Sequence, residues 1–375
     1  MRVLRDQRNL GLWLVLAIGM LACQPPAVTP NEPAAGVSTA LSSTPEATPV
    51  PLLAASPAAA RPARPALRIG APSTASGHYA YAAALSRVVD ARLLELSGVP
   101  IEVGGPNEVL QRLRDGEIQL GLTAEEQRLP ALRGVDQWKN AAIPEVRLLW
   151  LYQFHPCPPI VRDDSGARQL ADLEERPFNA GPRGSPIETY TRRYLPAVGV
   201  DPKWQNLTAA AAATALAEKK IVGLVRCLTT SDGPEPALEE LQAKTAVRLL
   251  PLGANDIPRI LSKLPGLTIG DVPLGRFRLP ASQHQVVTSV GVTADVAVLA
   301  SFSEDVAYRL TRAAHEDNRP GGEGLQAKGY PPVAGFELAH QTIALTNGPI
   351  HAGALRYYRE LGLPVDPLQV PPEVR

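Results

Sequence analysis

The stretch LRIGAPSTASGHYAYAAALSRVV (residues 67–89) decides the fold class. It starts with a short apolar run typical of a strand and continues through a loop of small residues. Tyr81, Leu85, Val88 and Val89 then recur at three- and four-residue spacing, which places them on one face of a helix. The stretch therefore predicts a strand, a loop and an amphipathic helix, in that order.

The same alternation continues to residue 123. Residues 100–103 and 117–123 predict a second and a third strand, and Asn107 is a candidate N-cap for the helix between them. Strands that alternate with helices indicate a parallel α/β sheet. Ligands of such sheets collect at the carboxyl ends of the strands, near the starts of helices.

A second α/β block begins near residue 158. Its start is a strand at 159–162, and a small-residue loop at 181–185 opens a helix further on. Ser301 and Glu304 have the spacing of a capping box before a later helix. The remaining predicted strands are residues 178–181, 221–225, 247–250 and, as a return strand, 286–292.

Composition excludes several classes of function. The chain has 375 residues, with 37 Lys+Arg against 37 Asp+Glu, and this balance argues against a nucleic-acid partner. Three cysteines are too few for a multi-cysteine zinc module, and the six histidines have no metal-ligand spacing. No nucleophile, P-loop or zinc-protease motif is present. The sequence thus predicts a protein that is not an enzyme and needs no metal or cofactor.

Residues 1–22 have the pattern of an export signal. Arginines precede an apolar run at 10–22, which is shorter than the roughly 20 residues that span a bilayer. The run ends in Met-Leu-Ala-Cys, similar to a bacterial lipobox, which predicts lipidation of Cys23 and an extracytoplasmic location at the membrane. An ordinary signal peptide is the alternative. Residues 23–66 are rich in Pro, Ala, Ser and Thr without apolar periodicity, which predicts a disordered tether.

Four stretches, in order, resemble the TAXI-type solute-binding proteins of TRAP transporters. They are the Ser-Gly-His-Tyr-Ala-Tyr segment at 76–81, the Asn-to-Gly segment at 107–121, the region 171–185, and the Pro-Ile-His-Ala-Gly-Ala-Leu-Arg-Tyr-Tyr-Arg-Glu segment at 349–360. The sequence departs from that family at His78, where threonine is usual, and at Pro186, where glycine is usual. The usual aspartate after the third strand is represented only by Glu125 or Glu126.

The resemblance implies a two-lobed, type II periplasmic-binding-protein fold, with each lobe a mostly parallel sheet flanked by helices. Lobe 1 would comprise residues 67–157 and, after the return, 285–375, whose C-terminal helices would pack on both lobes. Lobe 2 would comprise residues 158–284.

The resemblance also implies a monomeric receptor that delivers a dicarboxylate or glutamate-like anion to a TRAP-type permease. A receptor for an ATP-driven importer or a sensor is the alternative. An exported α/β hydrolase or transferase is a third interpretation.

A site for a small organic anion needs exposed donors such as helix N-termini, hydroxyls and an arginine. Several of these residues have a purely structural alternative: Ser185 as a helix N-cap, Arg183 as a surface charge, Tyr79 as core, Thr123 as the end of a strand, and His78 as a hydrogen-bonded structural residue. The candidate ligand contacts are Ser73, Thr74, Ser76, Gly77, His78, Tyr79, Thr123, Arg183, Gly184 and Ser185.

Cys157 and Cys227 remain if Cys23 is lipidated. Two leftover cysteines in an exported protein favour a disulfide, and two separate thiols are the alternative.

Overall fold

The computed structural model describes the chain in six parts. The predicted signal, Cys23 and most of the predicted tether lie outside them. At the end of the tether, Ala66 already starts the first strand, and Arg64 forms an ion pair with Asp90. The described residues are 64–228, 236–264, 266–273, 279, 283 and 286–375.

Two sheets organise these residues, and we call them, with their helices, lobe 1 and lobe 2. The elements of lobe 1 are β1 (Ala66–Pro72), α1 (Gly77–Arg92), β2 (Ser97–Val103), α2 (Pro106–Arg114), β3 (Leu120–Thr123), α3 (Glu125–Arg133) and β4 (Val146–Pro156). Those of lobe 2 are β5 (Pro159–Arg162), β6 (Pro177–Asn179), α4 (Pro186–Ala197), β7 (Lys203–Gln205), α5 (Ala209–Ala217), β8 (Gly223–Val225), α6 (Pro236–Gln242), β9 (Val247–Leu249) and α7 (Asp256–Lys263). The chain then returns to lobe 1 with β10 (Thr268–Pro273), β11 (Val286–Leu299), α8 (Glu304–Asn318), α9 (Leu325–Gly329), α10 (Leu338–Leu345) and α11 (Ala352–Glu360).

The predicted α/β fold with sheets flanked by helices is confirmed, although both sheets are mixed rather than mostly parallel. In lobe 1 the strand order is β10-β11-β3-β1-β2, with β4 also paired to β11. There β1 runs parallel to β2 and β3, whereas β11 runs antiparallel to β3, β4 and β10. Lobe 2 has the order β7-β6-β8-β5-β9, with β5 antiparallel to β8 and β9. Every antiparallel pair of lobe 1 involves β11, the long strand on which the chain returns from lobe 2, and every antiparallel pair of lobe 2 involves β5, the first strand after the chain enters it.

The change from lobe 2 back to lobe 1 comes earlier than the predicted residue 285. Strand β10 is already hydrogen-bonded to β11 in the first sheet. Nevertheless, Val272 and Val287 pack in a core cluster of lobe 2 with Leu249. The two lobes therefore share the region where β10 and β11 pair.

Two predicted helix caps were wrong. Helix α2 starts at Pro106 with Gly105 as its N-cap, because proline lacks an N–H and fits the first helical position. At α8 the N-cap is Ser303, whose Oγ accepts from the N–H of Val306. Ser301 therefore forms no capping box with Glu304.

A disulfide joins Cys157, just after β4, to Cys227, just after β8. The backbone N–H of Leu228 also donates to the Pro156 carbonyl over 2.8 Å. The segment after β8 is thus fixed to the point where the chain passes from the first sheet to the second. None of the described helices is long and apolar enough to cross a membrane.

Candidate functional site

Loop A, which we define as residues 73–76, links β1 to α1, and its polar groups are largely satisfied within the protein. Ser76 caps α1: its Oγ accepts from the Tyr79 N–H over 3.2 Å and donates to the Pro72 carbonyl over 3.1 Å. The Thr74 N–H donates to Glu102 over 2.9 Å, and Ser73 Oγ accepts from the backbone N–H of residue 75. Of the predicted contacts here, Ser76 therefore serves first as a helix cap, while exposed Ser73 and Thr74 keep their side chains at the surface.

His78 begins a wall of aromatic rings behind loop A. A hydrogen bond joins its Nδ1 to the hydroxyl of Tyr152, which stacks on Tyr81 with ring centroids 3.7 Å apart. Burial, with a smaller contribution from His155, lowers the pKa of His78 to about 4. The ring is therefore neutral near pH 7, and its Nε2 has no hydrogen-bond partner among the described residues.

Tyr330 completes this wall and explains Gly77. The Tyr330 hydroxyl donates to Gln153 over 2.6 Å, and its ring lies edge-on to those of Tyr81 and Tyr152. A Cβ at position 77 would meet the Tyr330 ring at 3.3 Å, so glycine permits the close approach of helix α1. Tyr79, at the start of the same helix, is partly buried and packs against the core of lobe 1.

Thr123 is fully buried at the end of β3, opposite Asp295 of β11. Its Oγ1 has no hydrogen-bond partner within the described part of the chain. The side chain is thus buried in the interior and not at an exposed surface.

Glu125 belongs to a buried ion network. Arg128 contacts Glu125 and donates from Nε to Asp295 over 3.0 Å, and all three side chains are fully buried. Thr346 Oγ1 donates to Glu125 over 2.7 Å. These contacts occupy Glu125, which is fully buried. Of the two glutamates that follow the third strand, Glu126 is the one that is only partly buried. Burial raises the pKa of Glu126 to about 8.

Loop B, which we define as residues 181–185, precedes α4 and is held by a charged network. Ser185 caps the helix by accepting from the Glu188 N–H over 3.3 Å, and Glu188 in turn accepts from the Gly184 N–H over 2.6 Å. The other oxygen of Glu188 accepts from Asn206 and Arg192. The Gly184 N–H is the largest contributor to a lowered pKa of Glu188.

Arg183 is exposed in this loop and forms no ion pair with any described residue. Gly181, two residues before Arg183, has a φ of 118°, and Gly184, directly after it, has a φ of 77°. Both values lie in the region that favours glycine. Arg183 therefore lies just before the N-terminus of a twelve-residue helix, which is the positive end of the helix dipole.

The ten candidate residues form two groups. Within the described residues, no hydrogen bond, ion pair or ring contact joins loop A and His78 to loop B. The lobes meet elsewhere, where Gln127 of α3 donates to the Tyr190 hydroxyl of α4 and Arg193 pairs with Asp136 at 3.5 Å. The same described residues hold no group of three His, Cys, Asp or Glu side chains that could bind a metal.

Sequence reasoning missed the aromatic wall and the carboxylates that hold the two loops. Tyr152 lies inside β4, an apolar run whose strand was not predicted, and Tyr330 comes from a distant part of the chain. Glu188 carried a signal, since Ser185 and Glu188 have the spacing of a capping box.

Residues 69–362 match the NMT1-like family. The chain belongs to this family. Among solved structures, a TctC solute-binding protein from Polaromonas has a TM-score of 0.51 at 12% identity, covering 80% of this chain and 98% of that one. The NMT1-like chain therefore has the fold of periplasmic solute-binding proteins.

Two other solved structures align with lower TM-scores. The periplasmic aliphatic sulphonate-binding protein SsuA from Escherichia coli gives 0.39 at 16% identity, covering 80% of this chain and 91% of that one. MatC from Rhodopseudomonas palustris with bound malate gives 0.38 at 13% identity, covering 73% and 90%.

Proposed function

We propose that this NMT1-like protein is an extracytoplasmic solute-binding receptor that captures a small organic anion between its lobes for a membrane transporter. The observation that carries the proposal is Arg183, an exposed cation without a described ion-pair partner, in a glycine-containing loop at the start of α4. Guanidinium groups and helix N-termini both favour carboxylates. The fold and the family support a binding role without catalysis.

Lobe 1 would supply the opposing surface. His78 Nε2 offers one neutral polar group, and the buried rings behind it hold His78 in place. A ligand with one carboxylate on loop B and a less polar end near His78 fits this division better than one charged at both ends. Dicarboxylates and glutamate-like acids, the ligands that the TAXI resemblance implies, can be compared directly with monocarboxylates.

Export and anchoring are part of the proposal. The signal-like residues 1–22, the lipobox ending at Cys23 and the disulfide all suit an oxidising, extracytoplasmic compartment. A monomer tethered by residues 23–66 would present its bound solute to a TRAP-type permease.

The binding experiment measures thermal shifts of the full chain with mono- and dicarboxylic acids, followed by calorimetry on the acids that stabilise it. Arg183→Ala should weaken binding roughly ten- to a hundredfold, as expected for the loss of a hydrogen bond to a charged group. The matched control is Arg87→Ala. It removes an exposed arginine of lobe 1, outside both loops, and should leave the affinity for the acid unchanged. Stabilisation by no acid, or equal affinities for both variants, would contradict the proposal, and turnover of an acid would favour the hydrolase or transferase.

The transport partner is tested separately by uptake of a bound, labelled acid into spheroplasts supplied with the protein. Uptake that stops when ion gradients are dissipated supports a TRAP-type partner. Uptake that instead follows cellular ATP assigns the receptor to an ATP-driven importer, and binding without uptake assigns it to a sensor.

A further inference from the structure

A cavity of about 370 Å³ lies in lobe 1, apart from loops A and B. Its walls are the end of α8, the segment that leads into α10, and α11. This volume is within the range of roughly 300–1,000 Å³ that is usual for small-molecule sites. None of the ten candidate residues lines the cavity.

The body of the cavity is apolar. Phe336 and Leu338 are buried in its wall, and Leu361 is half exposed at its edge. Arg319 and Glu337 are both exposed in the lining, so that their opposite charges offset each other. An apolar ligand without net charge suits this combination.

His315 contributes a hydrogen-bond acceptor. Its Nδ1 donates to the Thr311 carbonyl over 2.7 Å, which leaves the lone pair on Nε2. Burial lowers the pKa of His315 to about 4, so the ring does not gain a second proton near pH 7. The Tyr358 hydroxyl lies 3.4 Å from Nε2 but gives its proton to the Leu149 carbonyl over 2.7 Å. Nε2 therefore receives no proton from this neighbour.

Asn318 contributes a second acceptor. Its amide nitrogen donates to the carbonyls of Val333 and Phe336 over 3.1 and 2.9 Å, while its buried Oδ1 has no partner among the described residues. Asn318 is also the last residue of α8, where the helix dipole favours a donor. A buried acceptor without a donor is unfavourable, so both atoms favour a ligand that carries N–H or O–H groups.

We propose that this cavity is a second ligand site, which binds a small, neutral, apolar molecule carrying an N–H or O–H donor. The apolar part of the ligand would pack on Phe336 and Tyr357, and its N–H or O–H group would donate to His315 Nε2 or Asn318 Oδ1. The site would operate independently of the anion site between the lobes.

Indole and benzofuran are the matched probes, since the two have the same shape and only indole has an N–H. Calorimetry with the full chain should show saturable binding of indole, and benzofuran should bind about tenfold more weakly because it lacks the donor. Equal binding of the two probes, or no indole binding up to its solubility limit, would overturn the proposal.

Two variants locate the binding. Ala339→Phe and Leu361→Trp both add bulk to the lining, and each should reduce indole affinity at least about tenfold. Ala334→Phe, at a nearby exposed position outside the lining, and Arg183→Ala should leave it unchanged. Circular dichroism checks that each variant folds, and Leu361→Trp keeps the test valid if Ala339→Phe does not fold. Indole binding that survives in a folded variant with a filled cavity would refute this location, whatever the outcome for organic acids.

Discussion

The two lobes start equivalent helices in the same way but place their charges differently. Ser76 and Ser185 both cap a helix that follows a small-residue loop. In lobe 1 the ion network of Arg128 is completely buried, and the aromatic rings behind the loop are buried and uncharged. In lobe 2 the ion pair of Glu188 and Arg192 is partly exposed and holds the loop itself.

This difference separates two tasks. Near these two helix starts, lobe 1 uses charge to fix its interior, whereas lobe 2 uses charge in the loop where a ligand would arrive. Loss of Arg128 should therefore lower stability more than loss of Arg192. Loss of Arg192 should mainly alter loop B and the binding of anions.

The largest expected effect is that of Arg128→Met. Removing this cation leaves Glu125 and Asp295 buried without their counter-charge, which should lower the free energy of unfolding by about 5 kcal/mol. The matched change in lobe 2, Arg192→Met, should cost about 1 kcal/mol, because solvent screens the partly exposed pair. Urea unfolding of both variants measures this, and equal losses would remove the proposed contrast between the lobes.

Next comes the disulfide. Replacing Cys157 and Cys227 by serine should lower stability by about 4 kcal/mol in the chain-entropy model, because the bond closes a loop of 70 residues. Unmodified protein in reductant should unfold at the same urea concentration as the double variant. Thiol reagents should not label these two cysteines in unfolded, non-reduced protein, and full labelling would show that no bond forms.

The two lobes should lose stability over different pH ranges. The pKa values of His78 and His315 are lowered to about 4 in the folded state, so between about pH 4 and 6.5 the unfolded chain binds protons that the folded chain does not. Their contribution to stability therefore falls as pH falls from 6.5 towards 4. Glu188 in lobe 2 has a lowered pKa, so its contribution is present above its ordinary pKa of 4.5 and is lost below that value.

The variants that test this are His315→Gln and Glu188→Gln. His315→Gln should remove on the order of 3 kcal/mol from the change in stability between pH 6.5 and 4. Glu188→Gln should alter the profile only below about pH 4.5. Denaturant midpoints measured across this range decide the matter, and an unchanged slope in His315→Gln would contradict the pKa shift.

The smallest expected effects are those of the two caps. Ser76→Ala and Ser185→Ala should each lower stability by about 1 kcal/mol, with Ser76 at the larger end because its hydroxyl also donates to Pro72. Ser185→Thr preserves the capping oxygen and should change little. A loss in Ser185→Ala that matched that of Arg128→Met would mean that loop B supports the core of lobe 2.

The sequence predicted the α/β class and the buried face of α1 because local periodicity determines both. Tyr81, Leu85, Val88 and Val89 are all fully buried. It did not predict β4, because a continuous apolar run has no period that distinguishes a strand from a buried helix. Residues 286–292 predicted a return strand, but the antiparallel pairing of β11 depends on which strands it meets after lobe 2, and the local sequence does not encode that.

In the candidate site, the sequence located both loops but assigned their groups to a ligand. Ser76 and Ser185 are used first as caps, and the N–H groups of Thr74 and Gly184 are taken by Glu102 and Glu188. Whether Glu102 reaches the Thr74 N–H depends on tertiary contacts. Whether Glu188 reaches the Gly184 N–H depends on the rotamer of its side chain. Arg183 differs, since it is exposed and forms no ion pair with any described residue.

The shared region of β10 and β11 limits how this protein can be divided. Val272 and Val287 complete the core of lobe 2, yet their strands are hydrogen-bonded in the sheet of lobe 1. A gene fragment that encodes only the inserted segment 158–267 would lack part of its own hydrophobic interior. Recombination that exchanges lobe 2 between relatives would therefore have to transfer β10 and the start of β11 with it. The second lobe and these two strand segments form one unit of exchange.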